Sequence, residues 1–419
     1  MNSRLGNCRT SIVRAESWAY TSFALRGLTM AVPSLSVRHM ATAPKAELHK
    51  TALYDLHVAH GATFVPYAGY SMPVVYDGQT HLESHKWVRA HAGLFDVSHM
   101  VQHVFTGRHA TKFLESLTPS SLQELAPYRS TLSTFLNPAG GIVDDTMITK
   151  HNDERYYVVT NAGCREKDLA YLASELTYFA DGGVQHEVLD GWGILALQGP
   201  KAAEVLQRLT EEKLQELKFG GARVVQFVDG GEYHVARGGY TGEDGFEISV
   251  PPAATLGMAE HILSASREVV RLAGLAARDS LRLEAGMCLY GHDLDETTTP
   301  IEAGLGWIIG ARRKEQGGFN GYERVKEQLD KGTTRRRVGF VVSGPPAREG
   351  AKVYAKDGDA PIGTITSGSP SPTLGVNIGM GYVQKGFWKK ETPVEVEVRG
   401  RRHAGAVARM PFVAPRYYR

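Results

Sequence analysis

Cysteine is nearly missing from this 419-residue chain: Cys8, Cys164 and Cys288 are all there is. No two are spaced as Cys-x-x-Cys, so neither a zinc ribbon nor a disulfide framework is supported, and Cys164 and Cys288 read as reduced, buried thiols. An excess of one charge is missing too. Lys and Arg number 47 against 45 Asp and Glu, a formal net charge of +2, which offers no electrostatic footprint for nucleic acid. The run Arg335-Arg336-Arg337 reads as a solvated segment. No apolar stretch is long enough to span a membrane. There is no Gly-x-x-x-x-Gly-Lys-Ser/Thr phosphate loop and no Gly-x-Ser-x-Gly elbow. Gly304-Leu-Gly-Trp307 lacks the spacing and the preceding strand of a dinucleotide fingerprint. His81 and His85 stand one helical turn apart with Glu83 between, but not in the order His-Glu-x-x-His. No cysteine completes a site beside them, so they read as two surface histidines.

Acid is scarce at the N-terminus. Residues 1–43 carry Arg4, Arg9, Arg14, Arg26 and Arg38 with Glu16 as the one acid, among serines, threonines and interleaved Trp18, Tyr20, Phe23 and Leu25. That composition predicts a mitochondrial transit peptide and a place in the mitochondrial matrix. Arg26 breaks the apolar core a secretory signal would need. Arg38-His-Met40 suits a processing site near Ala41.

From Thr51 onward the pattern predicts a folded chain. Helices are expected over 51–60, 79–92 (stopping at Gly93), 109–117, 165–176 and 274–287. A strand is expected over 95–105, interrupted at Ser98-His99. A meander of strands 131–136, 142–149 and 156–161 turns at Asn137-Pro-Ala-Gly-Gly141. Strand–helix alternation continues to about 270. Beyond about residue 330 short β-rich runs alternate with Gly, Pro and Ser, which predicts a small β-barrel or sandwich.

What is abundant is glycine around one tyrosine and several carboxylates: Arg237-Gly-Gly-Tyr240-Thr-Gly-Glu-Asp-Gly-Phe-Glu247-Ile-Ser-Val250. Gly238, Gly239, Gly242 and Gly245 permit positive φ and close backbone approach. The strand then alternates, with Phe246, Ile248 and Val250 on one face and Glu247 and Ser249 on the other. Glu247 is thus held out for a ligand with paired N–H donors, or it sits on a solvated hairpin edge. In Ile142-Val-Asp-Asp145-Thr-Met-Ile148, alternation puts Val143, Asp145 and Met147 together and Asp144 and Thr146 opposite. An aspartate between Val and Met has its pKa raised and can exchange a proton near neutrality; the pair alone also fits two surface carboxylates near a turn. In Ala277-Arg278-Asp279-Ser-Leu-Arg282-Leu-Glu284, Asp279 and Arg282 suit an i,i+3 pair. Arg278 has Gly274 four residues before it and no partner, so it is the better ligand candidate.

Taken with Tyr54-Asp-Leu-His57, Gly93-Leu-Phe-Asp-Val-Ser-His-Met100, Val-Thr-Asn161-Ala-Gly-Cys164, Tyr290-Gly-His-Asp-Leu-Asp-Glu-Thr-Thr-Thr-Pro300 and Met410-Pro-Phe-Val, these segments resemble the aminomethyltransferase (T-protein) family of the glycine cleavage system. The resemblance covers nearly all of the chain after residue 50. It implies an α+β fold of three domains around a central folate channel, with two interleaved α/β domains within 47–325 and a C-terminal β-barrel over 333–419. It implies tetrahydrofolate as co-substrate, with no metal and no flavin. The implied donor is an aminomethyl group on the lipoyl arm of H-protein; no nucleic-acid or membrane partner is implied. Carried over by motif, Asp145 matches the catalytic aspartate. Glu247 and Tyr240 match pterin-site residues, Arg278 the folate-contacting arginine, Asn161 and Met100 channel-lining positions, and Tyr417 a ligand-contacting tyrosine. Two relatives of that family are the competing readings. One is the folate domain of dimethylglycine- or sarcosine-dehydrogenase-like enzymes, which carry an N-terminal flavin domain, whereas no dinucleotide fingerprint precedes residue 51 here. The other is a non-catalytic folate-binding iron–sulfur assembly factor, whose Lys-Gly-Cys-Tyr-x-Gly-Gln-Glu signature is replaced here by Glu284-Ala-Gly-Met-Cys-Leu-Tyr-Gly291.

Overall fold

Strand Gly193–Gln198 is buried at every position, as expected of a short apolar run in the middle of a covered sheet. The computed structural model, which describes residues 47–419, places it centrally in a six-stranded sheet. The order is Ala222–Gln226, Glu232–Arg237, Gly245–Val250, Gly193–Gln198, Ala92–Asp96, Val270–Leu272. Only the last pair is parallel. One face packs Phe246, Ile248 and Val250 against Leu206, Met258 and Ile262 of two covering helices. The other face sets Phe95, Ile194 and Ala196 against Val88, Ala277 and Leu281 of helices His81–Ala90 and Leu275–Glu284. Burying each such aliphatic or aromatic side chain is worth about 1.5–3 kcal/mol.

A second sheet interrupts the first. Its order is Arg129–Leu136, Ile142–Asn152, Arg155–Thr160, Val101–Thr106, Gln185–Val188. The chain leaves the first sheet after Asp96 and rejoins it at Gly193. The expected interrupted strand over 95–105 is therefore two strands in two sheets. Asp96 turns the chain between them: its Oδ1 accepts the Ser98 N–H at 2.9 Å, while Oδ2 takes Thr51 at 2.6 Å and His57 at 2.9 Å. Nor is Gly93 a helix stop. The helix ends at Ala90, and Gly93 lies inside the next strand, where a Cβ would come within 2.6 Å of Val88 Cγ2.

The C-terminal region closes into a six-stranded barrel running Arg335–Val342, Asn377–Gln384, Pro361–Pro370, Lys352–Ala355, Pro393–Val398, Arg401–Ala408. Its first strand contains the three arginines read as solvated. Arg337 is instead buried, donating to the carbonyls of Ala303 at 2.8 Å and Gly286 at 3.2 Å, and Arg335 bonds Glu302 at 3.1 Å. These contacts bind the barrel to the segment that follows helix Leu275–Glu284. His85 departs from expectation for the same reason. It is fully buried between that helix and a barrel loop, bonded to Ser280 at 2.8 Å and Thr373 at 3.1 Å, while His81 stays exposed. Among the described residues no helix is long and apolar enough to cross a membrane. The expected transit peptide, residues 1–43, lies outside the described residues.

Candidate active site

Both sheets, the Leu275–Glu284 helix with the segment after it, the first barrel strand and the C-terminal tail line one cavity of about 1470 Å³. Glu247 reaches it by strand parity: Glu247 and Ser249 face the cavity while their neighbours fill the core. The residues paired across from Glu247 are Ala236 and Ala196. Two methyl side chains leave the carboxylate room and give it no partner. Burial raises its pKa, opposed by the charge of Arg278.

The hairpin before Glu247 depends on glycine at one position above all. Gly239 has φ +152°, and a Cβ there would fall 2.1 Å from Gln198 Oε1. Gly238, by contrast, has neither a positive φ nor a close neighbour, so permissive backbone is not what selects it. The turn carries Tyr240 into the cavity, where its hydroxyl donates to the Cys288 carbonyl. Arg278 lies with its guanidinium carbon 4.8 Å from the Tyr240 ring centroid. Its Nη1 is buried and bonds to nothing among the described residues. Asp279 and Arg282 make the i,i+3 pair, 2.8 Å apart, which leaves Arg278 to the cavity.

Asp145 comes from the second sheet. The register slips between Phe135 and Leu136, so a bulge on strand Ile142–Asn152 breaks the simple alternation. Val143 joins the core with Phe135 and Ile148, while Asp145 and Met147 face the cavity. Asp144 is buried beneath. Asn161 ties the two aspartates together: its side-chain amide donates to Asp145 Oδ1 at 3.0 Å and to Asp144 Oδ1 at 2.9 Å, and its backbone N–H to Asp144 Oδ2 at 2.8 Å. Burial first, then the charge of Asp144, pushes the Asp145 carboxyl up to about 8. Met100 and Tyr417 complete the predicted set. Met100 packs against the core cluster that includes Phe95 and Val97, and Tyr417 stacks on Phe219 with centroids 4.0 Å apart. All seven residues named from the sequence line this one cavity.

Other wall residues escaped the sequence reading. His234 lies across from Ser249 in register and packs on Tyr157 at 4.4 Å between centroids. Its Nε2 is buried without a partner among the described residues, and burial holds it neutral by pushing its pKa down to about 3. The signal was parity, since His234 is two residues from Ala236, the neighbour of Glu247. Gln102 underlies this patch, its Oε1 accepting Tyr157 at 2.8 Å and Ser249. Lys167 donates to Tyr290 at 2.5 Å and to the Val143 carbonyl at 2.6 Å. Trp307 lines the cavity while 67 % exposed, so it stands where the cavity opens. Exposed Arg336, Lys390, Arg409 and Arg419 add positive charge to the wall.

Residues 53–313 match the family described as GCVT N-terminal domain, and 335–414 match the Glycine cleavage T-protein C-terminal barrel domain. The chain is similar to a Schizosaccharomyces pombe protein named probable aminomethyltransferase, mitochondrial, with 51% identity over 92% of this chain and 98% of that one. It is 46% identical to the Pisum sativum mitochondrial aminomethyltransferase over 97% of this chain and 100% of that one. The crystal structure of glycine cleavage system aminomethyltransferase T from Bartonella henselae superposes with a TM-score of 0.83 at 39% identity, covering 89% of this chain and all of that one.

Proposed function

The chain belongs to the glycine cleavage T-protein family, and from that premise we propose that it is a tetrahydrofolate-dependent aminomethyltransferase acting in the mitochondrial matrix. It takes the aminomethyl group from the lipoyl arm of H-protein and delivers the carbon to tetrahydrofolate. The C–S bond and the C–N bond to ammonia are broken, two C–N bonds to the folate form, and methylenetetrahydrofolate, ammonia and the dihydrolipoyl carrier leave. The mitochondrial names of the relatives and the basic, acid-poor N-terminus support the location.

The observation that carries the reading is a pair of uncommitted charges. Among the described residues no side-chain hydrogen bond reaches the Glu247 carboxylate and Arg278 Nη1 is unpaired, and both side chains line a cavity larger than the roughly 300–1,000 Å³ that holds one drug-sized ligand. A buried charge without a partner is costly, so both are explained by a polar ligand. A pterin edge, with an amino group beside a ring N–H, satisfies a carboxylate twice over. The extra volume leaves room for a carrier arm beside it, and the cations on the wall favour the anionic tail of a folate. Asp145, held separately on the second sheet, is placed to face positive charge that develops on the transferred carbon. Holding N5 and N10 beside that carbon supplies the rest of the advantage through proximity.

The test separates binding from turnover. Glu247→Gln keeps shape but exchanges an acceptor for a donor against the pterin N–H groups. A charge-assisted bond of about 1.5–3 kcal/mol is lost, so tetrahydrofolate should bind roughly tenfold or more weakly by calorimetric titration. Turnover at saturating folate should be largely kept. Unchanged affinity in this variant would remove Glu247 from the ligand site.

A further inference from the structure

Beneath Asp145 lies a second pair of carboxyl groups that the transfer chemistry leaves unused. Asp144 and Asp168, the latter on helix Arg165–Tyr178, are both fully buried. Together with the Cys164 sulfur, their ligand-type atoms lie within 4.8 Å of one another. Asp144 is occupied as an acceptor on both oxygens, by the backbone and side chain of Asn161. Asp168 is not: neither of its oxygens has a hydrogen-bond partner among the ordinary donors of the described residues. Most polar groups around it are engaged elsewhere. Lys167 turns to the Val143 carbonyl, Tyr290 and Glu296, and Tyr171 donates to the Leu136 carbonyl; the Thr160 hydroxyl, 3.1 Å from His103, lies close enough to Asp168 to oppose part of its rise. Two ionised carboxylates this close in a buried site repel strongly, and a proton taken up by one of them relieves the repulsion.

We propose that Asp168 carries a proton shared with Asp144, and that this acid–carboxylate pair is the positioning device for Asn161 and, through its amide, for the Asp145 carboxylate. The proton answers both oddities at once. It gives Asp168 a bond to Asp144 and lets Asp144 keep a negative charge for the two Asn161 donors. Burial, then the charge of Asp144, pushes Asp168 up to about 10, so the proton persists across the working range of pH. Burial also raises Asp144, and the bond from Asp168 opposes that rise. Cys164 is a third neighbour whose thiol burial raises, so it stays protonated and adds no charge. The positioning role rests on Asp145 being the reactive carboxylate; the shared proton itself does not.

Two measurements on the full-length protein keep these parts separate. The infrared difference spectrum of resting wild type minus Asp168→Asn, without substrates, should show a protonated-carboxyl C=O band that shifts in D2O. Its absence overturns the shared proton, whatever the activity. In turnover, Asp168→Ala removes the proton donor and loosens Asn161. A misplacement of this kind is expected to lower kcat about 10²-fold with tetrahydrofolate affinity held. Asp168→Asn puts an amide N–H where the proton was and should recover most of that loss. Equal loss in the asparagine and alanine variants overturns the positioning role. One equivalent of a divalent cation in wild type, found by elemental analysis and absent from Asp168→Asn, overturns the proposal in favour of a metal site.

Discussion

Asp145→Asn lowers kcat by about 10²–10⁴-fold, the range spanned by a lost acid–base group or a lost electrostatic stabiliser, while tetrahydrofolate affinity stays nearly unchanged. The side chain is isosteric, and Asp145 stands on the second sheet, apart from Glu247 on the first and Arg278 on helix Leu275–Glu284, so the proposed folate contacts are left whole. The pH profile supplies a second signature. Its carboxyl is raised to about 8 by burial and by Asp144, so the free protein at neutral pH holds much of Asp145 as the acid. If the ionised form assists transfer, log kcat/KM climbs with pH and levels off near 8, and the asparagine variant loses that limb. Stability moves the other way. Between the ordinary carboxyl pKa near 4 and about 8, the folded protein keeps a proton that the unfolded chain has released. The unfolded state therefore binds fewer protons, and the contribution of Asp145 to stability falls as pH rises through that window. Thermal melts of Asp145→Asn should lose less stability over the same interval. A variant that loses folate affinity and turnover in equal measure would refute the division of labour between Asp145 and Glu247.

The two carboxylates were not equally legible. Glu247 could be read from the sequence because a central strand without a bulge obeys a period of two, and the apolar set Phe246, Ile248, Val250 fixes which face is which. Asp145 could be nominated but not placed, because the bulge near Val143 is set by pairing with the strand before it and leaves no mark in local composition. Asp168 was invisible: it lies on a helix in Arg165-Glu-Lys-Asp168, a run that looks like any solvated first turn. His85 failed similarly, since its burial depends on Thr373, 288 residues away. The barrel was legible as a class through its regular turns. The interleaving of the first two sheets was legible only through the family resemblance and not from local pattern, because it hinges on which distant strand each half of 92–106 pairs with.

The largest effect on stability is expected at Glu284, which in the sequence is simply one of four charges on its helix. It is fully buried where four stretches of chain meet. Its carboxylate accepts Arg89 at 2.7 Å and sits 3.2 Å from His85 on one helix, and it takes Ser371 at 2.5 Å and the Thr373 hydroxyl at 2.7 Å from a barrel loop. Its backbone carbonyl receives the N–H groups of Phe412 and Val413 near the C-terminus. Through Arg89 the network continues to Glu243 and the Thr241 carbonyl in the glycine hairpin. Glu284→Ala leaves Arg89 nine-tenths buried with one of its two carboxylates gone, and four further donors unanswered: His85, the Ser371 hydroxyl, and the hydroxyl and backbone N–H of Thr373. Breaking a buried ion pair from one side costs about 3–5 kcal/mol, and urea unfolding should report a loss of that size. Glu284→Gln should recover only part of it, since an amide carries no charge for Arg89. Burial alone would raise the Glu284 carboxyl, but bonds from His85, Ser371 and Thr373 hold it well below the usual range. The stability it supplies is therefore present above an unfolded pKa near 4 and lost as pH falls further. Acid unfolding of wild type should be steeper than that of the alanine variant. The cavity wall begins at the next residue, Ala285, so turnover should fall with the fold in Glu284→Ala, whereas Asp145→Asn separates the two. A Glu284→Ala protein as stable as wild type would mean that the Glu284 network does not hold barrel and sheets together.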